Sequence, residues 1–119
     1  MKKKHSFLTK NIIIASDHAG FVLKELIKKR LENLGLNILD LGVDNKKVSV
    51  DYPTYAKKLS KKINSKNMGI LICGSGIGMS IASNRFKNVR SALVNSSTLS
   101  KLSREHNNAN IICLAARFV

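Results

Sequence analysis

Tryptophan is absent from this 119-residue sequence, proline occurs once, cysteine twice, and the aromatic residues are limited to two Tyr and four Phe. Only seven residues are acidic. Each shortage excludes something. Cys73 and Cys113 sit in apolar segments without CxxC spacing, which rules out a disulfide framework and fits reduced thiols in a cytoplasmic protein. Three scattered histidines (His5, His18 and His106) and those two separated cysteines show no ligand spacing, so no metal is expected. No apolar run approaches the roughly 20 residues that a membrane-spanning helix needs. Internal repeats and low-complexity linkers are also missing, and a chain of this length is expected to form one domain.

Hydrophobic residues make up 44% and charged residues 24%, an ordinary globular balance. The charge is less ordinary: 21 Lys and Arg against seven acids give +14. Such a chain attracts anions, so phosphorylated metabolites and nucleic acids are the partners to weigh first. The start, Met1-Lys2-Lys3-Lys4, has the charge of a signal peptide. Thr9, Lys10 and Asn11 interrupt it, however, and the apolar run at 12–15 is too short for an h-region. Residues 1–10 read as a basic tail and 11–119 as the domain.

The hydrophobic pattern switches repeatedly between two periods. Residues 11–16 form a β-branched run suited to a buried parallel strand. From Gly20 the spacing becomes helical, with Leu23, Leu26, Ile27, Leu31 and Leu34 expected on one buried face and Gly35 as the stop. A second strand is expected at 36–41, then a helix opened by Pro53 with Ala56, Leu59 and Ile63 inward. Further expectations are a strand at 68–73, a short helix to about Phe86, a strand at 90–94, a helix at 98–106 and a strand at 109–114. This alternation predicts an α/β protein: a three-layer α/β/α Rossmann-like fold around a five-stranded parallel sheet.

In such sheets ligands sit beyond the carboxyl ends of the strands, where the strand order reverses. If the first strand pairs with the second and the third, the loops at that point are Asp17-His18-Ala19-Gly20 and Cys73-Gly74-Ser75-Gly76-Ile77-Gly78. The glycine spacing is GxGxG, which matches neither the dinucleotide GxGxxG fingerprint nor a P-loop. It fits a nest of backbone N–H groups for a small anion, against the plainer reading of a tight turn. Cys73, entering a helix start, is expected to have its thiolate stabilised and to be left accessible by the glycines. Cys113, inside an apolar run, reads as a small buried hydrophobe. His18 beside Asp17 suits a loop hydrogen bond or an anion contact, and His106 alone reads as a surface cap.

Taken together these segments resemble a known family. Asp17-His18-Ala19-Gly20, Asp51-Tyr52-Pro53, the run from Gly69 through Cys73 to Gly78, Ser103-Arg104-Glu105-His106-Asn107 and Ala116-Arg117 recur in the order found in ribose-5-phosphate isomerase B and its relatives, the galactose-6-phosphate isomerase subunits. The resemblance covers about residue 11 onward. It implies aldose–ketose isomerisation of ribose 5-phosphate and ribulose 5-phosphate, a step of the non-oxidative pentose phosphate pathway, with neither metal nor organic cofactor. It further implies that Cys73 moves the proton between C2 and C1 and that His106 helps open the sugar ring. Gly74, Ser75, Gly76, Ile77 and Gly78 would offer N–H groups to the enediolate, and Asp17, His18, Asn107 and Arg117 would hold hydroxyls and phosphate. Sites of this family form between two chains, so a homodimer, or a tetramer of such dimers, is implied. Some members carry a glutamate just after the glycine loop; Met79 stands there here, leaving the cysteine-type mechanism.

Two departures accompany the match. The family's long C-terminal helix is expected to be missing, since the sequence given stops at Val119. Ala115-Ala116 also precede Arg117 where Gly-Ala or Gly-Ser is common. Three other readings remain: a hexose phosphate such as galactose 6-phosphate as substrate, an inactive shortened copy, and a basic nucleic-acid-binding module. The last is disfavoured, because lysine outnumbers arginine 16 to 5, aromatics are few and no RNA- or DNA-binding motif occurs.

Overall fold

The computed structural model describes residues 11–118, so the expected basic tail at 1–10 lies outside the described residues. In chain order the elements are β1 (Asn11–Ser16), α1 (Phe21–Asn33), β2 (Ile38–Asp40), α2 (Tyr52–Ser60) and β3 (Asn67–Cys73). They continue with α3 (Ile77–Ser83), β4 (Ser91–Leu93), α4 (Ser97–Asn107) and β5 (Ile111–Ala115). All five strands are parallel, in the order β2-β1-β3-β5-β4. The α/β expectation therefore holds, and β1 does pair with both β2 and β3.

The central strands are long and the edge strands short. β3 bonds to β1 over six residue pairs and to β5 over five, whereas β2 and β4 contribute three residues each. The expected strands at 36–41 and 90–94 shrink accordingly, because an edge strand has a partner on one side only. The Ile-rich centre of β1 is buried from Ile12 to Ser16, as a strand covered on both faces should be.

Period-2 alternation sorts the side chains. Ile13, Ala15, Leu71, Cys73, Ile111 and Cys113 share one face, where Ala56 and Leu59 of α2, Ile63 just beyond that helix, and Met79 of α3 are among the residues that complete the core. Right-handed crossovers send α2 and α3 to that face and α1 and α4 to the other. On the second face Ile70, Ile112 and Leu114 are only half-buried.

The α1 reading needs correction. Leu26 is 60% exposed and Leu34 71%, while Lys24 is completely buried. Helical spacing reports which residues share a face, but α1 rests on a polar corner of the sheet. There Lys24 Nζ meets Asp40 at 2.6 Å and Glu25 at 2.7 Å. At that corner an ion pair, and not Leu26 or Leu34, supplies the inward contact. Leu23, Ile27 and Leu31 of the expected face are half-buried.

Candidate active site

Helices of a parallel sheet run opposite to its strands, so each strand delivers its last residue, and the following helix its first, to one edge of the sheet. That edge carries a cavity of about 380 Å³ lined by Asp17, Tyr52, Cys73, Gly74, Ser75, Gly78, Arg117 and Phe118. It lies where β1 and β3 send their helices to opposite faces, the position the strand order predicts.

Cys73 ends β3 and forms part of the cavity floor. It is 4% exposed and belongs to the core cluster, so the expectation that the glycines leave it accessible is corrected. Its alternation with Leu71 turns it to the α2–α3 side, and α3 closes over it. The Gly76 N–H donates to its Sγ at 3.2 Å. That reversal of the chain requires φ +76° at Gly76, a left-handed conformation that residues with a Cβ rarely adopt. The Ile77 N–H is taken by Ser75 Oγ at 3.2 Å. Among the described residues the N–H groups of Ser75 and Gly78 have no protein partner and remain available at the cavity.

The pairing of β3 with β5 extends one step past the sheet. Ala116 N–H donates to the Cys73 carbonyl at 2.8 Å and Arg117 N–H to the Gly74 carbonyl at 3.0 Å. The Arg117 guanidinium consequently lies on the bare α-carbon of Gly74, where a side chain would start 2.9 Å from Nη1. Arg117 makes no ion pair among the described residues. A cation held beside a thiol and free N–H donors suits a phosphate or an enediolate oxygen.

From β1, Asp17 is buried and its Oδ1 accepts the Gly20 N–H at 3.0 Å. His18 Nδ1 accepts the Val50 N–H at 3.1 Å. A ring nitrogen that accepts carries no proton, so neutral His18 bears its hydrogen on Nε2 and acts as a donor there. Tyr52 opens α2 against Gly78, whose position would set a Cβ 2.6 Å from the tyrosine ring. Sequence reasoning missed Tyr52 and Phe118 as lining residues. For Tyr52 the signal was an aromatic directly ahead of the helix-opening Pro53, on the helix that packs beside α3.

His106 and Asn107 are not brought to this cavity. They end α4, at the amino edge of the sheet, and the Asn107 carbonyl accepts from Arg90 Nε at 2.7 Å just ahead of β4. Asn107 lines a separate cavity of about 340 Å³ with Arg90, Ser91 and Ser103. Cys113, as expected, is fully buried; burial pushes its thiol up to about 11, although the neighbouring hydroxyls of Ser91, 3.0 Å from the sulfur, and Ser83 oppose that. The register sets Cys113 opposite Leu71, two residues short of Cys73. Strand geometry makes that diagonal roughly 8 Å, from about 4.8 Å across and about 6.6 Å along, which is too long for a disulfide. Both thiols are free.

With this geometry established, comparison with known proteins is informative. The family model described as Ribose/Galactose Isomerase matches residues 12–119. The chain belongs to that family. A probable ribose-5-phosphate isomerase B of Mycoplasma genitalium is 44% identical over 112 residues, which are 92% of this chain and 74% of the relative. The structure of ribose 5-phosphate isomerase B from Anaplasma phagocytophilum superposes with a TM-score of 0.89 at 46% identity, over 94% of this chain and 77% of that one. The Mycoplasma genitalium enzyme with bound ribulose 5-phosphate gives 0.84 at 43% identity, over 94% and 76%. Family membership makes the chain a sugar-phosphate isomerase with a Rossmann-like fold. No helix among the described residues is long and apolar enough to cross a membrane.

Proposed function

We propose that this enzyme interconverts ribose 5-phosphate and ribulose 5-phosphate through an enediolate, with Cys73 as the base. The observation that carries the reading is the meeting of Cys73, Asp17, Arg117 and the free Ser75 and Gly78 N–H groups in one cavity. A relative solved with ribulose 5-phosphate supports the choice of sugar.

The chemistry follows from what an aldose–ketose shift requires. A base must remove the proton from C2 of the open-chain aldose, and the electron pair moves into the C1–C2 bond as negative charge develops on oxygen. The Ser75 and Gly78 N–H groups are fixed donors for that charge, so they need not reorganise during the reaction. O1 gains a proton, O2 loses one, and the Cys73 thiol returns the carried proton to C1. Atoms and electrons balance without an external oxidant, and no cofactor is needed. Arg117 holds the phosphate, while Asp17 and the Nε2–H of His18 hold hydroxyls.

Ring opening falls to His106, with Asn107 beside it. Both stand at the sheet edge opposite Cys73, so a second copy of the chain must supply them. The working unit is then a homodimer, alone or paired into a tetramer, each cavity built from two chains. Its setting is the cytoplasm, where both thiols stay reduced, and its place the non-oxidative pentose phosphate pathway.

The deciding measurement follows ribulose 5-phosphate formed from ribose 5-phosphate by the purified chain and by Cys73→Ala. The variant is expected to lose about 10³-fold or more in kcat, the contribution of a positioned base plus its geometry. Equal activity in the two proteins would remove Cys73 from the mechanism.

A further inference from the structure

Lys24 occupies a core position of α1 that helical spacing alone would give to an apolar residue. An ammonium is buried only when partners satisfy it. Lys24 Nζ has three: Asp40 Oδ2 at 2.6 Å, Glu25 Oε2 at 2.7 Å and the Phe21 ring at 5.3 Å. Asp40 is satisfied in turn. Its Oδ2 also accepts from Lys28 at 3.0 Å, and its Oδ1 accepts the Gly42 N–H at 2.9 Å. Burial pushes the Asp40 carboxyl up, but the bonds from Lys24, Gly42 and Lys28 outweigh it and hold the group below the usual carboxylate value.

Stability is a weak reason to keep such a cluster. Replacing a buried ion pair by well-packed apolar residues is often neutral or favourable. What the apolar substitute cannot do is accept the Gly42 N–H. Gly42 begins the segment joining β2 to α2, and two backbone bonds stitch it to the end of β1. Ser16 N–H donates to the Gly42 carbonyl at 2.9 Å, and Val43 N–H to the Ser16 carbonyl at 3.2 Å. The next residue after Ser16 is Asp17. The far end of the same segment brings Val50 to His18 Nδ1, and two residues later it reaches Tyr52.

We infer that Asp40 is a positioning residue for the sugar-binding loops: by anchoring the Gly42 amide it fixes the 42–51 segment, and through it Asp17, His18 and Tyr52. The inference rests on the isomerase reading above. It assigns Asp40 to substrate affinity rather than to proton transfer, because Cys73 and its N–H donors hang on β3 and the turn into α3 instead.

Two double variants isolate the anchor. Lys24→Met with Asp40→Asn removes the ion pair but leaves an amide oxygen for the Gly42 N–H. Lys24→Met with Asp40→Leu removes both. The expected result is a KM for ribose 5-phosphate at least tenfold higher in the second than in the first, with kcat within threefold and melting temperatures within a few degrees. Equal KM values, or a loss confined to kcat, would overturn the inference. Amide hydrogen exchange is measured on the same proteins without substrate. Gly42 and Val50 should exchange faster only in the leucine variant, and unchanged exchange would again reject the anchor. If the wild-type chain turns over no ribose 5-phosphate, the isomerase reading fails while the exchange data still judge Asp40. If either double variant does not fold, Asp40→Glu replaces it: the charge stays, the carboxylate moves by one methylene, and KM should rise with kcat held.

Discussion

The Gly76 amide donates to the Cys73 sulfur at 3.2 Å, closing a three-residue turn between the end of β3 and the start of α3. The bond exists because Gly76 takes φ +76°. A Cβ there would also lie 2.5 Å from Leu93 Cδ1 and 3.1 Å from the Leu114 backbone. Gly76→Ala is therefore expected to cost at least about 2 kcal/mol in urea unfolding, from backbone strain and crowding together. Any surviving folded enzyme should have lower kcat, since a residue with a Cβ relaxes away from φ +76° and moves its amide off the sulfur. A variant as stable and as fast as the wild type would contradict both expectations.

Arg117 presents a planar fork over Gly74. Arg117→Ala is expected to raise KM for the sugar phosphate by about 10- to 100-fold, the range of one or two charge-assisted hydrogen bonds. Arg117→Lys should recover only part of this, because an ammonium cannot bind two phosphate oxygens side by side. Competition by inorganic phosphate offers an independent readout, and inhibition should weaken in parallel with KM. Unchanged inhibition in the alanine variant would move the phosphate elsewhere in the cavity.

Mixed chains test the shared site. Cys73→Ala and His106→Ala should each be nearly inactive alone. Unfolded together and refolded, half the dimers carry one chain of each kind, and one of their two cavities then holds an intact Cys73 and an intact His106. Activity should recover to about a quarter of the wild-type value for random pairing in a twofold-symmetric dimer. If Cys73 and His106 served from the same chain, mixing would recover nothing.

Cys113 gives a pH prediction. Its folded-state pKa is about 11 against an ordinary 9.0, so between those values the unfolded chain releases a proton that the folded chain keeps. Stability should thus be intact below about pH 9 and fall as pH rises toward 11, by about 2–3 kcal/mol in all. Urea midpoints measured across that window should fall more steeply for the wild type than for Cys113→Ala, whose absolute stability is lower from the cavity it leaves. Parallel curves would exclude the buried thiol as the source.

The α/β architecture and the location of the cavity were legible in the sequence, because hydrophobic period and loop chemistry are local properties. Asn11 through Ser16 could form little else but a buried strand, and the glycines after Cys73 announced a sharp turn. Contacts between distant segments were less readable. Spacing placed Leu26 inward and said nothing of Asp40, the residue that draws Lys24 into that corner. Cys73 was expected to be open because neighbouring glycines are small, yet α3 folds back over it. The separation of His106 from Cys73 depends on α4 running against the strands, and no local pattern near His106 states that direction.

The strand order β2-β1-β3-β5-β4 has a consequence for biosynthesis. β4 leaves the ribosome before β5, yet among the described residues its one sheet neighbour is β5. Until residues 111–115 emerge, β4 has no strand to join, and β3 presents one side of its ladder, including the Cys73 carbonyl, unpaired. Arg117 cannot approach Gly74 before that gap is filled. The nascent chain thus acquires its cavity only when β5 joins the four strands made before it, and strand edges exposed in the interval are where premature association with other chains would start.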